Sequence, residues 1–311
     1  MYNKELYSLK KWLTLRTTNY CNHNCLFCTQ KEYLYNPEFN FLKFETQTLE
    51  EIYMIVKNNG YDFILISWGE ATLNKDILSL IQYFQEKNIY VILMTNGSNI
   101  HKIGIDTIKR ADTTIYVSYH GFQDTYTELI NKRGYTEINQ DKPTEFEIVT
   151  ENIQKLQSLD FNVILKVVIN KYNISSLELF VEYIFHRFGD SIGVEITLME
   201  YLVHPEVRKL SANISEFNTV SEVLSKKYGP RITIEGGKLC DKEYFWNNGE
   251  EVFCPLTNVI VGEVKIEKDG SIFYQEKTEP GRGNIKNVLP KCKKCPKFET
   301  CHGYDIYYLR K

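Results

Sequence analysis

Short apolar runs and amphipathic stretches take turns along the first two-thirds of the chain. Leu13 and Leu15 mark a first run. Residues 46–60 then read as a helix, with Leu49, Ile52, Tyr53 and Val56 on one stripe, Thr48 and Glu51 as a capping box and Gly60 as the stop. The continuous apolar run 63–67 has the character of a buried parallel strand. Asn74 reads as the cap of a helix carrying Ile77, Leu78, Ile81 and Phe84, and strands at 90–94 and 114–118 flank a helix near 101–110. A helix at 146–159, a strand at 163–169, a helix from Ser175 or Ser176 to Gly189, a strand at 194–198 and a helix at about 214–228 complete the series.

Six strand–helix alternations predict an α/β fold, a parallel sheet with crossover helices. Six are too few to close an eight-fold barrel. Residues 1–230 form this part, and residues 231–311 are assigned to a smaller second domain. In the latter, runs at 259–267 and 271–274 are joined by Lys268, Asp269 and Gly270, a hairpin signal. The charged stretch 131–145 is too long for a turn and is either a lid or a disordered loop.

Composition narrows the class. A chain of 311 residues suffices for one large domain and a small appended one. Its 43% hydrophobic and 25% charged residues are those of an ordinary globular enzyme. A net charge of −3 gives no footprint for nucleic acid or an anionic membrane. No apolar run has the length of a membrane span, and the N-terminus has no signal-peptide core, so a cytoplasmic location with reduced thiols is expected. In that compartment eight cysteines point to metal. They form two groups, Cys21, Cys25 and Cys28 at one end and Cys240, Cys254, Cys292, Cys295 and Cys301 at the other, which suggests two centres.

Cys21, Cys25 and Cys28 have CxxxCxxC spacing in a loop leaving the first strand. Three close thiolates without a fourth can hold three irons of a [4Fe–4S] cubane and leave the last iron open. Structural zinc sites usually show two paired knuckles, and His23, lying between two of the ligands, would strain so tight a loop. The spacing resembles that of the radical S-adenosylmethionine (radical SAM) enzymes. The resemblance covers about residues 10–200 and implies a partial (β/α)6 TIM-like barrel.

Further residues at predicted strand ends carry the same resemblance. Phe27 occupies the motif's aromatic position, against the adenine of S-adenosylmethionine (SAM). Ser67-Trp-Gly-Glu70 resembles the family's Gly-Gly-Glu-Pro turn, which binds the methionine ammonium; Gly69 and Glu70 are kept, while Trp68 and Ala71 depart from it. Thr95-Asn96-Gly97 is a second recurring pattern, and Ser118, in a Ser-x-Asp-Gly-like segment, is a ribose contact. His120 replaces the acid there and is either a catalytic group in the substrate pocket or a structural histidine. Lys166, mid-strand, either points into the barrel or pairs with an acid, and Asn170 is a further polar contact for the cofactor.

The second cysteine group resembles the SPASM and twitch auxiliary-cluster extensions. CxxCxxxxxC is intact at Cys292, Cys295 and Cys301, but Gln275 and Asp305 stand at two cysteine positions of the full pattern. Four thiolates (Cys254, Cys292, Cys295 and Cys301) suit one auxiliary [4Fe–4S] cluster, and by number they suit zinc as well. Cys240 is a replacement ligand, a hydrogen donor as in the peptide epimerases of the superfamily, or a buried inert thiol.

The resemblance implies reductive cleavage of SAM to a 5′-deoxyadenosyl radical that abstracts hydrogen from a substrate C–H. It also implies an electron donor such as flavodoxin or ferredoxin. A ribosomal peptide is the first expectation for the substrate, undergoing epimerisation or cross-linking. So little chain precedes Cys21 that no fused leader-peptide recognition domain is expected. A small-molecule dehydrogenase acting on a sugar or alcohol is the second reading, and a non-enzymatic iron–sulfur or zinc protein the third.

Overall fold

The computed structural model describes residues 11–18, 20–28, 44–130, 143–199, 209–235, 246–247, 250–251, 258–266 and 271–280. The stretch 131–142 and the cysteines at 240, 254, 292, 295 and 301 lie outside the described residues.

Seven parallel strands follow one another in chain order: β1 (Lys11–Arg16), β2 (Phe63–Ser67), β3 (Tyr90–Thr95), β4 (Thr113–Ser118), β5 (Asn162–Ile169), β6 (Gly193–Leu198) and β7 (Ile232–Glu235). A two-residue pair, β8 (Trp246–Asn247) and β9 (Glu250–Glu251), stands apart from this sheet. The hairpin β10 (Asn258–Ile266) and β11 (Ile272–Pro280) joins it on the other side, β10 parallel to β1 and β11 antiparallel to β10. Among the described residues the order β11-β10-β1-β2-β3-β4-β5-β6-β7 does not close on itself, so the barrel is partial and open.

Helices α1 (Thr46–Asn59), α2 (Ile77–Glu86), α3 (Gln123–Ile130), α4 (Glu145–Ser158), α5 (Leu177–Phe188) and α6 (Ile214–Tyr228) cross between the strands. Their buried stripes (Ile52 and Val56, Leu80 and Phe84, Val149 and Ile153, Phe180 and Ile184) share one core with Leu13, Leu15, Ile64, Ile66, Leu93, Val117 and Leu165 of the strands. Because strand side chains alternate, Phe63, Ile92, Tyr116 and Ile164 form a second core on the opposite face with Trp12, Leu65 and Met94 around them.

Several local expectations need correction. The capping box at Thr48 and Glu51 does not form: α1 starts at Thr46, and its N-cap is the extended Glu45, three residues before Thr48, without a side-chain cap. The box is found instead at Thr144 and Glu147 of α4, where Thr144 is extended (φ −68°, ψ 161°); Glu45 is extended too (φ −71°, ψ 152°) but has no hydroxyl to cap with. Asn74 does not head α2, whose preceding residue is Asp76; its side chain accepts from the Asp76 amide and donates to the Thr17 carbonyl. The helix near 101–110 is two 3₁₀ turns, Ile100–Lys102 and Ile105–Thr107, separated at Gly104. The sequence pattern does not show α3, the four-residue β7 or the two-residue β8 and β9, all too short for periodicity to register.

The hairpin is clamped to the barrel beneath Gly262. The Tyr61 hydroxyl donates to Glu276 (3.0 Å) and shares a hydrogen bond with Tyr274 (2.7 Å), while Lys11 pairs with Glu276 at 3.3 Å. A Cβ at position 262 would fall 2.5 Å from Tyr61 Cζ and 2.7 Å from Leu13 Cδ1. Gly262→Ala is therefore expected to destabilise the chain by about 1–3 kcal/mol, through overpacking. A lowered thermal midpoint checks it.

Candidate functional site

The cysteine loop runs from Cys21 to Cys28 at the C-terminal end of β1 and is fastened on three sides. The amides of Asn24 and Leu26 donate to the carbonyls of Ile130 (3.0 Å) and Leu129 (2.8 Å), satisfying groups that the end of α3 leaves without helical partners. Cys28 N donates to Cys25 O (3.1 Å), which closes a turn. His23 Nε2 meets Glu145 Oε1 at 2.7 Å, and both side chains are buried at the first residue of α4. His23 is thus engaged as a strut between loop and helix. Phe27 packs with Leu129 and Met199 and lies edge-on to His120, with 4.8 Å between ring centroids.

The three thiols are unbridged and only partly buried. Cys21 Sγ accepts from the His23 amide (3.4 Å) and faces the Asn96 amide nitrogen (3.9 Å). Burial, and then the Glu70 carboxylate, push its thiol up to about 12, so it ionises only beside a positive centre. Among the described residues no three His, Cys, Asp or Glu side chains gather around a single ion. A cubane does not ask for that, since each thiolate meets a different iron. The donor set fits such a cluster.

Next to the loop, β2 ends in a turn built from two left-handed residues, Trp68 (φ +86°) and Gly69 (φ +59°). A Cβ on Gly69 would lie 2.5 Å from Tyr20 O and 2.8 Å from Thr18 O, so only glycine lets the strand leading to Cys21 approach this closely. Glu70 N donates to Tyr20 O (2.8 Å). The Glu70 carboxylate is buried and accepts from Thr72 N (3.1 Å), Thr72 Oγ1, Thr95 Oγ1 (2.6 Å) and Asn96 N (2.6 Å). Asn96 then reaches Asn22 Oδ1 (2.8 Å), and Asn22 reaches Ser98 Oγ (2.9 Å). Glu70, Thr95, Asn96 and Cys21 are therefore brought into one network. Asn22 and Ser98 complete it; sequence reading did not single them out, although Asn22 lies inside the cysteine motif.

The ends of β4 and β5 face Phe27 from the other side. His120 is buried, and its Nδ1 accepts from Val168 N (3.2 Å), which places the ring proton on Nε2. Burial first, then the charges of His23 and Lys166, lower its pKa to about 3. Asn170 is fully buried: its Oδ1 accepts from Tyr172 N (2.9 Å) and its backbone N–H donates to Asn173 Oδ1 (2.8 Å), so it shapes the turn after β5. Ser118 ends β4, its carbonyl facing the Tyr126 hydroxyl at 3.5 Å. Lys166 forms an ion pair with the buried Glu195 of β6, across the register of the two strands. Cys240, Cys254, Cys292, Cys295 and Cys301 lie outside the described residues.

The depressed His120 pKa has a consequence for stability. Below the ordinary value of 6.5 the unfolded chain takes up a proton that the folded chain refuses until about 3. The stabilising contribution is complete above 6.5 and is lost as pH falls through that window. A His120→Asn chain should have a lower thermal midpoint near neutral pH, and a flatter decline of that midpoint between about pH 6.5 and 4.

The family described as the radical SAM superfamily matches residues 15–184. An uncharacterised protein of Methanocaldococcus jannaschii is 25% identical over 307 residues, 97% of each chain. A probable GTP 3′,8-cyclase of Saccharolobus islandicus is 21% identical over 283 residues, 85% of this chain and 83% of that one. Among solved structures, Streptococcus suis SuiB bound to its precursor peptide SuiA aligns with a TM-score of 0.61 at 16% identity, covering 98% of this chain and 74% of SuiB. SuiB bound to SAM aligns at 0.60, covering 97% and 74%. With the matched region taking in the cysteine loop, the Glu70 turn and the strand ends that face them, the chain belongs to the radical SAM superfamily.

Proposed function

We propose that Cys21, Cys25 and Cys28 hold a [4Fe–4S] cluster by three corners and leave the fourth to SAM. When bound, the pair supplies reductive cleavage to a 5′-deoxyadenosyl radical able to take hydrogen from a substrate C–H. The observation that carries this reading is the network joining Cys21 to Asn96 and Glu70 at the ends of three successive strands. Gly69 leaves room at the turn, while Glu70 sets the orientation of Thr95 and Asn96 toward the methionine end of SAM. Phe27 lies against the adenine, Ser118 at the ribose, and Asn170 holds the neighbouring turn. His120, neutral at physiological pH, backs the Phe27 ring and serves the site by position, since it carries no charge to give.

The substrate we favour is a ribosomal peptide, epimerised or cross-linked. The C-terminal cysteine pattern supports it, with Cys254, Cys292, Cys295 and Cys301 as ligands of an auxiliary [4Fe–4S] cluster and Cys240 as hydrogen donor. SuiB, which shares the fold, binds a precursor peptide. A reducing partner such as flavodoxin or ferredoxin supplies the electron. The second reading, a small-molecule substrate, draws on the similarity to a probable GTP 3′,8-cyclase and on the charged pair Lys166–Glu195 on the inner face.

Anaerobically reconstituted, reduced protein should convert SAM to methionine and 5′-deoxyadenosine, measured by mass spectrometry. Cys21→Ala, Cys25→Ala and Cys28→Ala should each abolish it; full iron loading of about eight per chain, two cubanes' worth, without any cleavage overturns the enzymatic reading. In D₂O, with a ribosomal peptide as substrate, an epimerising enzyme adds one deuterium per event. Cys240→Ala should still form 5′-deoxyadenosine and lose that deuterium; undiminished uptake removes Cys240 from the mechanism.

A further inference from the structure

A line of contacts runs from the C-terminal hairpin to the turn that carries Glu70. Gln275 Nε2 of β11 donates to Glu263 Oε2 of β10 at 2.7 Å. Glu263, buried, forms an ion pair with Arg16, the last residue of β1. The Arg16 guanidinium carbon lies over the Trp68 ring, 3.2 Å from its centroid. Trp68 has a φ of +86°, where a bulky aromatic side chain is strained. Gln275 is also the position at which the auxiliary-cluster pattern has a cysteine, so an amide that grips Glu263 stands in place of a thiolate.

We propose that Arg16 is a positioning residue for SAM: held by Glu263 and Gln275, it pins Trp68 in its strained conformation and so fixes the Gly69–Glu70 turn against the cysteine loop. A guanidinium suits this because its plane can stack on an indole while its edge meets a carboxylate, whereas an ammonium does not combine the two. Rotation at Trp68 would carry along the next two residues. Gly69 packs on the Thr18 and Tyr20 carbonyls, and Glu70 N donates to Tyr20 O at 2.8 Å. The carboxylate that orders Thr95 and Asn96 would move with them. Glycine at position 68 adopts φ +86° without strain and needs no clamp.

The inference rests on the turn lying at the SAM site, and the test separates the two. Binding of SAM to the full reconstituted chain is measured by anaerobic equilibrium dialysis, together with the change SAM makes in the EPR spectrum of the reduced cluster. Arg16→Ala should weaken SAM binding roughly tenfold with iron content unchanged. Arg16→Lys should recover little. In the Trp68→Gly background the loss of Arg16 should matter little: Arg16→Ala/Trp68→Gly should bind SAM within about threefold of Trp68→Gly, with the EPR change of that single variant kept. A general loss of packing would weaken binding in that background too. Should Arg16→Ala not fold, the isosteric Glu263→Gln takes its place, with the same weakening and the same small effect in the Trp68→Gly background. Wild-type affinity in the Arg16→Ala chain, or a loss of Arg16 that weakens Trp68→Gly as much as it weakens the wild type, overturns the inference. Failure of the wild-type chain to bind SAM overturns the site reading and the inference with it.

Discussion

The Glu70 carboxylate is the point on which the site is built. A buried carboxylate only accepts hydrogen bonds, and withdrawing it from water is costly unless donors surround it. Four do, two from Thr72 on the same turn and one each from Thr95 and Asn96 at the end of β3. Satisfying one acid therefore fixes the ends of two neighbouring strands relative to each other. Through Asn96 the constraint passes to Asn22 and Cys21, so the thiol loop takes its place from a carboxylate 49 positions along the chain, counting from residue 21 to residue 70.

The sheet makes that precision possible. Parallel strands covered on one face by helices and filled on the other by Phe63, Ile92, Tyr116 and Ile164 leave their C-terminal ends as the place where polar groups converge. β1 would be an exposed edge if β10 did not pair with it. The hairpin thus covers the strand that delivers the cysteines, and the cluster of Tyr61, Tyr274, Glu276 and Lys11 holds it there. Its inner face also contributes Glu263, which reaches the site through Arg16.

Charge is managed in pairs throughout this region. Lys166 meets Glu195 and Arg16 meets Glu263, each pair joining residues of different elements. Pairs of this kind add little net stability, because desolvation offsets their attraction, but they specify geometry strongly. His120 shows the alternative. It has no acid among the charges that act on it, and it remains neutral.

Local pattern was enough for the order of strands from β1 to β6, the Gly60 and Gly189 helix ends, the hairpin and the cysteine loop, because apolar periodicity, glycine stops and close thiol spacing are all properties of neighbouring residues. The α3 helix and β7 were too short to register, and the Ser/Thr-x-x-Glu pattern marked the wrong helix because backbone conformation, which the letters do not carry, decides which threonine caps. Glu70 was singled out as an acid at a strand end, yet its donors on Thr95 and Asn96, the strut between His23 and Glu145, and the placing of Arg16 over Trp68 all join residues far apart in the chain. Such contacts exist only after the sheet has assembled its register, and no window of sequence contains both partners.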